Sequence, residues 1–296
     1  MNTLRVALEW FLNPDHLPFI VAEAQGWFAE EGLQITLIEP KEHFDAFEAF
    51  AADELDIAIT EPIHLLQDLA QGQELRGFAR FLHTNGGVMV LGKSGITRPI
   101  ELAGKRIQYP GAPGPGGPAI INTMIVADGG TASELTPVNH GFLHTDALEK
   151  DLADAATLVF YNFEIVEARH KGLEPKMFAL KDYGVPDFCQ LILVTPPAIL
   201  EQRKQDLERF VQVLRRGIDF VKQQPKEAAA IYWKKTGANP EDPLGKAIFE
   251  ATVPCFSHDF GMSQDYYQKL ATWLVETKQA EEIPGLESCW TNQFAY

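Results

Sequence analysis

The sequence predicts an α/β protein that is built from two lobes. Short apolar segments of strand type alternate with helical segments from residue 4 to residue 195, and helical stripes alone follow residue 201. The length of 296 residues corresponds to roughly two domains of ordinary size. Hydrophobic residues make up 46% and charged residues 22%, which is typical of a globular chain and excludes collagen, coiled coil and disorder.

The first 91 residues contain four predicted strands, with turns or helices between them. Pro18 suits the first turn of a helix that runs to about residue 28, because proline is tolerated at that position. Phe44, Phe47, Ala51 and Leu55 lie at helical spacing, and another short helix is predicted at 62–71. The predicted strands cover residues 4–10, 33–38, 56–60 and 88–91.

The stretch from residue 101 to residue 195 continues this alternation. A short helix feeds a strand that ends at Tyr109, and residues 110–118 are only proline, glycine and alanine. Helices are predicted at 119–127 and around 146–155, and strands at 138–142, 156–161 and 191–195. Two later apolar stripes predict long helices; their residues are Leu207, Phe210, Val211, Leu214, Ile218 and Val221, then Tyr267, Leu270, Trp273 and Leu274.

Charge, cysteine content and hydropathy exclude several classes of function. The net charge of −16, from 25 basic against 41 acidic residues, argues against nucleic acid or an anionic membrane as a partner. Three scattered cysteines, Cys189, Cys255 and Cys289, predict neither a disulfide framework nor a metal site. No apolar run reaches the ~18–20 residues of a membrane span. The start of the chain shows no signal peptide, so we expect a cytoplasmic protein as the sequence stands, or a periplasmic one if a leader was removed.

Seven segments together carry a resemblance to one family. The most specific are L-E-W-F-L-N-P-D-H at 8–16, N-T-M at 122–124 and D-Y-G-V-P at 182–186. Less specific are A-Q-G-W-F-A-E-E-G-L at 24–33, D-I-A-I at 56–59, G-I at 95–96 and L-A-G-K-R-I at 102–107. Over about residues 4–280 the chain resembles the thiamine pyrimidine precursor family. That family contains ThiY-like ABC-transporter binding proteins for formylaminopyrimidine and the fungal-type hydroxymethylpyrimidine phosphate synthases.

The resemblance implies a type II periplasmic-binding-protein fold with a ligand cleft between two α/β lobes. It places residues 1–90 and 192–296 in the first lobe and residues 91–191 in the second, with crossings near 88–93 and 188–193. In open α/β sheets, ligands bind at the carboxyl ends of strands. We therefore expect site residues just after Leu8, Ile59, Ile107 and Phe160.

Trp10, Asn13 and His16 follow the first predicted strand. A pyrimidine needs a flat apolar face, which Trp10 offers, and an amide that both donates and accepts, which Asn13 offers. The alternative is a buried tryptophan and an asparagine turn. For His16, donation to a ligand and capping of the Pro18 helix are both open.

Thr60, Glu61 and His64 lie where the next strand ends and a helix begins. The resemblance matches Thr60 to the lysine with which the synthases hold pyridoxal phosphate as a Schiff base, and a threonine has no amine for that bond. It matches His64 to the histidine that the synthases consume, so His64 either contacts a ligand or packs in the cleft. The cysteine-rich motif of the synthases is reduced to Cys189, and we expect no bound metal.

The Pro/Gly/Ala segment after Tyr109 precedes a predicted helix. Backbone N–H groups at a helix N-terminus suit an anion, so a phosphate or carboxylate could sit at Gly114–Gly117, with Tyr109, Gly116 and Gly117 as site residues. The prolines remove donors, and the alternative is a flexible loop at the edge of the cleft.

Tyr161, Asn162 and Glu164 follow the strand at 156–161. They resemble a segment of the binding proteins in which an aromatic ring stacks on the aminopyrimidine and a glutamate reads it. A carboxylate accepts a hydrogen bond from an exocyclic amine, and the alternative for Glu164 is a helix N-terminal acid. Tyr183 is a candidate for a second stacking ring.

Three functional hypotheses follow from these residues. The first is a binding protein for a thiamine pyrimidine precursor or a similar heteroaromatic ligand, without a cofactor and with an ABC-transporter permease as a possible partner. The second is a hydroxymethylpyrimidine phosphate synthase that uses pyridoxal phosphate and histidine, against which Thr60 argues. The third keeps the fold and changes the ligand to a sulfonate, a flavin or another small anion.

Overall fold

A computed structural model describes residues 1–40, 46–109 and 116–296. Its strands are β1 (Asn2–Ala7), β2 (Leu33–Ile38), β3 (Ile57–Thr60), β4 (Arg76–His83), β5 (Gly86–Leu91), β6 (Arg106–Tyr109), β7 (Thr136–Asn139), β8 (Ala155–Phe160), β9 (Pro175–Ala179) and β10 (Gln190–Thr195). Its helices are α1 (Leu17–Ala24), α2 (Trp27–Glu30), α3 (Ala46–Ala51), α4 (Pro62–Ala70), α5 (Gly116–Ala127), α6 (His144–Glu149), α7 (Glu164–His170), α8 (Pro197–Gln202), α9 (Lys204–Gln223), α10 (Pro225–Thr236), α11 (Pro243–Thr252) and α12 (Gln264–Glu276). The alternation of strands and helices confirms the predicted α/β class.

The chain divides into two compact units. The first unit comprises Met1–His83, Gln190–Gln268 and Glu282–Tyr296, and the second comprises Thr84–Cys189 and Lys269–Glu281. This division differs from the predicted one at residues 84–90, 190–191 and 269–281. The last of these segments belongs to the second unit because Trp273 Nε1 donates to Thr123 Oγ1 at 3.0 Å and its ring lies 6.4 Å from that of Phe188.

Each unit contains one five-stranded mixed sheet. In the first unit the strand order is β2-β1-β3-β10-β4, with β1, β2 and β3 parallel and β10 antiparallel to both of its neighbours. In the second unit the order is β7-β6-β8-β5-β9, with β6, β7 and β8 parallel and β5 antiparallel to both of its neighbours. The two sheets therefore share one spatial arrangement of strands, although the antiparallel strand comes last along the chain in the first sheet and first in the second.

The predicted apolar stripes form helices that supply the cores. Every residue of the first stripe is buried on α9, which packs on α1 so closely that a Cβ at Gly217 would lie 2.4 Å from the carbonyl oxygen of Pro18. All four residues of the second stripe are buried on α12. In the second unit, the α6 and α7 side of the sheet buries apolar residues that include Met89, Ala156, Val159 and Ile165.

Several element boundaries differ from the prediction. The helix expected from Pro18 to about residue 28 is interrupted by Gly26, whose φ of +75° ends α1 before α2 begins. Strand β1 ends at Ala7 rather than residue 10, and the sequence reading missed β4 and β9. Phe44 of the predicted helical stripe and residues 110–115 of the predicted anion loop lie outside the described residues. No helix in the described part of the chain is long and apolar enough to cross a membrane.

Candidate functional site

Three acidic residues and one tryptophan follow the parallel strands of the first unit. Glu9, Glu39 and Glu61 come within two residues of the ends of β1, β2 and β3, whose carboxyl ends share one edge of the sheet. Trp10 is half-buried beside Glu9, and its ring centroid lies 4.2 Å from that of Phe11. This edge, which we call the acidic edge, combines an aromatic face with carboxyl groups.

The turn after Trp10 is closed by its own side chains. Asn13 Oδ1 accepts from the Asp15 N–H at 2.8 Å, and Asn13 Nδ2 donates to the Phe11 carbonyl at 2.9 Å. His16 Nδ1 accepts from the Asn13 N–H at 3.2 Å, which completes a capping box around Pro14–His16. The structure thus engages both polar ends of the Asn13 amide within the turn. The His16 side chain belongs to the capping box of this short 3-10 turn and makes no capping hydrogen bond to the helix that contains Pro18.

Glu9 holds the other nitrogen of His16. His16 Nε2 lies 3.1 Å from both carboxylate oxygens of Glu9, and the imidazole is fully buried. Burial alone would lower the pKa of His16, but the charge and hydrogen bond of Glu9, aided by Asp15 and Glu39, outweigh burial and raise it above its ordinary value. Glu39 also accepts from the Leu12 N–H at 2.8 Å, so two acids anchor this segment.

Thr60, Glu61 and His64 lie at the junction of β3 and α4. Thr60 is the last residue of β3, Glu61 is the N-cap of α4 without a side-chain capping bond, and His64 is exposed on that helix. Burial, with the nearby charge of Glu9, raises the pKa of Glu61 to about 8. At pH 7 the Glu61 carboxyl group therefore carries a proton and can donate a hydrogen bond.

The residues at the end of β3 do not fit covalently bound pyridoxal phosphate. The Thr60 hydroxyl cannot condense with an aldehyde to an imine, which requires an amine. Among the described residues of the first unit, the lysines lie on α9, α10 and α11, and none of them is at the end of β3; they are Lys204, Lys222, Lys226, Lys234, Lys235 and Lys246.

The second unit presents Tyr109 at the end of β6, against the start of α5. A Cβ added to Gly117 would lie 2.2 Å from Cε1 of Tyr109, so the ring needs a glycine at this position, one residue after Gly116 begins the helix. Tyr109 is 2% exposed, and its hydroxyl has no hydrogen-bond partner among the residues that the structure describes. Burial raises the pKa of Tyr109 to about 12, so the hydroxyl keeps its proton and remains a donor.

The end of β8 carries Tyr161, Asn162 and Glu164. Tyr161 is 40% exposed, the Arg169 guanidinium lies 5.2 Å from its ring centroid, and Arg169 Nη1 donates to its hydroxyl at 3.2 Å. Asn162 is buried. Glu164 is buried at the first position of α7, where its Oε2 accepts from the Phe160 N–H at 2.8 Å. Glu164 thus lies at a helix N-terminus, and this hydrogen bond returns to the strand.

Tyr183 lies near the same edge of this sheet. The register pairs Gly86 of β5 with Phe160 at the end of β8 and Gly87 with Ala179 at the end of β9, which places both strand ends at one edge. Tyr183 closes the short 3-10 turn after β9 and packs its ring edge-on against Phe178 at 6.1 Å.

Sequence reasoning missed three charged residues at these edges, namely Glu9, Glu39 and Lys181. Glu9 was missed because it acts through its hydrogen bond to His16, which the sequence does not show. The N-x-x-H spacing of a capping box was the sequence signal that could have indicated the position of His16. Lys181 Nζ donates to Asn85 Oδ1 at 2.7 Å, a contact that sequence spacing alone does not show.

Cys189 is a buried packing residue. A Cβ added to Gly86 would lie 1.8 Å from the Sγ of Cys189. The described residues contain no group of acids, histidines and cysteines that could hold a metal ion.

Two curated relatives resemble the chain over most of its length. A 4-amino-5-hydroxymethyl-2-methylpyrimidine phosphate synthase from Legionella pneumophila is 27% identical over 299 residues, which cover 99% of this chain and 92% of the relative. A formylaminopyrimidine-binding protein from Halalkalibacterium halodurans is 27% identical over 229 residues, which cover 77% of this chain and 69% of the relative.

The fold resembles that of a solved transport protein. The periplasmic aliphatic sulphonate binding protein SsuA from Escherichia coli superimposes with a TM-score of 0.76 at 11% identity, over 97% of this chain and 96% of that one. This likeness shows the periplasmic-binding-protein fold and nothing of the ligand. The sequence model of the family described as NMT1/THI5 like matches residues 13–228, so the chain belongs to the NMT1/THI5-like family.

Proposed function

We propose that this chain binds a small aminopyrimidine, a precursor of the thiamine pyrimidine, without covalent chemistry and without a cofactor. The observation that carries the proposal is the acidic edge of the first unit, where the half-buried Trp10 is next to Glu9 in sequence and the charge of Glu9 acts on Glu61. The binding would serve uptake or salvage. Uptake would require an ABC-transporter permease as a partner and a compartment outside the cytoplasm.

The chemistry of the acidic edge matches an aminopyrimidine. An indole face stacks on a flat heteroaromatic ring, and an ionised carboxylate accepts from an exocyclic amine. A protonated Glu61 can donate its O–H to a ring nitrogen, which is an acceptor. Such pairing gains strength where water is excluded.

The same edge is unsuited to a sulfonate or phosphate. Recognition of these groups uses arginine or lysine forks, helix N-termini or both. The described side chains that directly follow β1, β2 and β3 are acidic or apolar, and at the one helix that begins there, α4, the N-cap residue is Glu61. We therefore prefer an aminopyrimidine to a sulfonate despite the fold likeness to a sulphonate binding protein. The name of the Halalkalibacterium halodurans relative supports this choice.

The test is calorimetric binding of 4-amino-5-hydroxymethyl-2-methylpyrimidine and of formylaminopyrimidine at pH 7, with an alkanesulfonate as the competing class. Trp10→Ala should weaken pyrimidine binding by about 10- to 100-fold, the value of one ring stack. Trp233→Ala on α10 is the matched control, since it removes an equally large half-buried indole from the same unit. Sulfonate binding without pyrimidine binding, or equal losses in both variants, would overturn the proposal.

A synthase is the second candidate, because the Legionella pneumophila relative with that name covers nearly the whole chain. Thr60 removes the amine that would hold pyridoxal phosphate at the end of β3. Incubation with pyridoxal phosphate, borohydride reduction and peptide mass mapping decide the point. A lysine modified stoichiometrically would establish the synthase candidate, whereas an unmodified chain that binds the pyrimidine supports the binding protein.

A further inference from the structure

The hydrogen bonds of His16 fix its tautomer. Nδ1 accepts from the Asn13 N–H at 3.2 Å, so this nitrogen carries no proton while the capping box is closed. The remaining proton then lies on Nε2, where it points at both oxygens of Glu9 at 3.1 Å. A capping box usually has glutamate or glutamine at the third helical position, and those residues do not change role over the neutral pH range.

A second proton on His16 would compete with the capping box. Protonation at Nδ1 turns the acceptor into a donor that faces the donor N–H of Asn13, so the turn must open. The Glu9 carboxylate favours the doubly protonated imidazole, whereas the closed turn favours the neutral one. The two hydrogen-bond partners of His16 therefore favour opposite protonation states of the same ring.

The charged surroundings of His16 are mostly acidic. Asp15 of its own turn and Glu39 after β2 act on it in the same direction as Glu9. Glu61 faces Glu9 from the end of β3, and Tyr232 of α10 faces Asp15. Helix α11 also packs on the turn, but its charged residues, Lys246 and Glu250, are exposed. The charges that act most strongly on His16 are thus all acidic, and they favour the uptake of a proton.

We propose that His16 is a positioning residue for ligand binding, which in its neutral Nε2–H form closes the turn and holds the segment that carries Trp10, with Glu9 selecting that tautomer. This inference rests on the proposed function only for its effect on affinity. The segment runs from Glu9, held by His16, through Leu12, held by Glu39, to Asn13, which His16 caps. Opening of the turn releases one end of the chain that presents the indole.

The first arm of the test needs no ligand. Imidazole ¹⁵N NMR on the full chain should show, at pH 8.5, one histidine with protonated Nε2 and unprotonated Nδ1 whose signals vanish in His16→Gln. The Asn13 amide signal should shift together with the protonation of that ring. An Nδ1–H tautomer at pH 8.5 would overturn the proposal. An Asn13 amide signal that does not shift when the His16 ring is protonated would also overturn it.

The second arm measures affinity for 4-amino-5-hydroxymethyl-2-methylpyrimidine from pH 7.5 to pH 5.5, a range that lies below the pKa of about 8 of Glu61. Affinity of the unmodified chain should fall by about fivefold towards pH 5.5, as expected for one lost capping bond. His16→Gln supplies an acceptor that does not titrate, so the ratio of its affinities at pH 7.5 and pH 5.5 should lack this fivefold fall, apart from the contribution of the ligand's own protonation, which is common to both proteins. Glu9→Gln should move the midpoint to lower pH.

The two arms separate the failure of this proposal from the failure of the proposed function. If the chain binds no pyrimidine at any pH, the proposed function fails, and NMR still decides the tautomer and the turn. If the chain binds but His16→Gln shows the same pH profile as the unmodified chain, His16 is not the positioning residue. His16→Ala, which lacks the cap at every pH, should bind about fivefold more weakly across the whole range.

Discussion

The two units build the start of their central strands in the same way. In the first unit, the backbone and side chain of Arg5 on β1 bind Asp56 before β3, with distances of 2.8 Å and 2.9 Å to Oδ2, and its guanidinium also reaches the carbonyl of Asp53. In the second unit, Arg106 on β6 binds Asp154 before β8 at 2.9 Å and 3.2 Å and reaches the carbonyl of Asp151.

The repeat extends to the backbone. Asp53 and Asp151 each lie three residues before the paired aspartate, and both adopt the left-handed conformation, with φ of +56° and +57°. Aspartate is one of the few residues that tolerate this conformation in a turn. The D-x-x-D sequence before β3 and β8, with an arginine in the preceding parallel strand, is therefore an internal structural repeat.

The units differ at the opposite ends of the same strands. In the first unit, Glu9 follows β1 and contacts His16, and Glu61 follows β3 with a raised pKa. The second ends β6 with Tyr109, packed against Gly117, and it contains a non-glycine residue of positive φ, Leu158 at +56°, within β8. The two units therefore share the arginine–aspartate pairs before β3 and β8, and they differ at the carboxyl ends of the strands, where ligands bind in such sheets.

The largest expected effect comes from removing the shared framework in each unit. Asp56 has a side chain that is 7% exposed and is also bound by Arg203 at 3.3 Å, whereas the Asp154 side chain is 28% exposed with Arg106 as its ion-pair partner. We expect Asp56→Asn to lower the free energy of unfolding by about 3 kcal/mol, in the range for a broken buried pair. Asp154→Asn should cost about 1 kcal/mol. Urea unfolding measures both, and equal losses would contradict the difference in burial.

The same pair of variants should change the acid sensitivity of the fold. Burial would raise the pKa of Asp56, but the hydrogen bonds and charge of Arg5, with Arg203, hold it below its ordinary value; Arg106 does the same for Asp154. A lowered carboxyl pKa gives stability that is present above the unfolded-state pKa and is lost as the pH falls through the folded-state pKa. The stability of each Asn variant should therefore depend less on pH below pH 4 than that of the unmodified chain.

The close packing in the second unit is tested by Gly117→Ala. The added Cβ would lie 2.2 Å from Cε1 and 2.4 Å from Cδ1 of Tyr109, so the ring or the start of α5 must move. Overpacking of this kind costs about 1–3 kcal/mol, and thermal unfolding should show it. Gly104→Ala is not a suitable control because its φ is +70°, so Tyr109→Leu combined with Gly117→Ala serves instead. If Tyr109→Leu does not restore the stability that Gly117→Ala loses, the contact between the added methyl group and the Tyr109 ring is not the cause of that loss.

The carboxyl groups at the two strand ends should respond to glutamine in opposite directions. The folded-state pKa of Glu61 is raised from 4.5 to about 8, so the folded chain holds a proton that the unfolded chain loses, and stability falls as the pH rises between these values. Glu61→Gln removes this loss and should raise the free energy of unfolding at pH 7 by up to about 3 kcal/mol. Glu164→Gln keeps an acceptor for the Phe160 N–H but removes a charge from a helix start, and it should lower stability by about 0.5 kcal/mol. Urea unfolding at pH 7 and pH 5 compares them, and a loss in both variants would contradict a protonated Glu61.

The fold was largely predictable because its signals are local. The alternation of strands and helices and the stripes on α9 and α12 come directly from periodic burial, and they agree with the structure. Strand β4 was missed because Arg76, Arg80 and His83 interrupt its apolar pattern, although its interior is buried. The pairing of Glu9 with His16 and the contact of Gly117 with Tyr109 depend on side-chain directions after the chain has turned, which sequence spacing does not fix.

The smallest expected effect, and the one that separates structural from functional roles most sharply, belongs to Tyr109→Phe. The Tyr109 hydroxyl is buried without a hydrogen-bond partner among the described residues. Its removal therefore breaks no hydrogen bond with those residues, and it removes the cost of burying an unsatisfied polar group. The free energy of unfolding should stay unchanged or rise by up to about 1 kcal/mol. The ring itself remains against Gly117, so packing is preserved. If the variant binds the pyrimidine as tightly as the unmodified chain, Tyr109 is a packing residue. If affinity falls while stability does not, the hydroxyl donates to the ligand, because no contact within the described fold accounts for the loss.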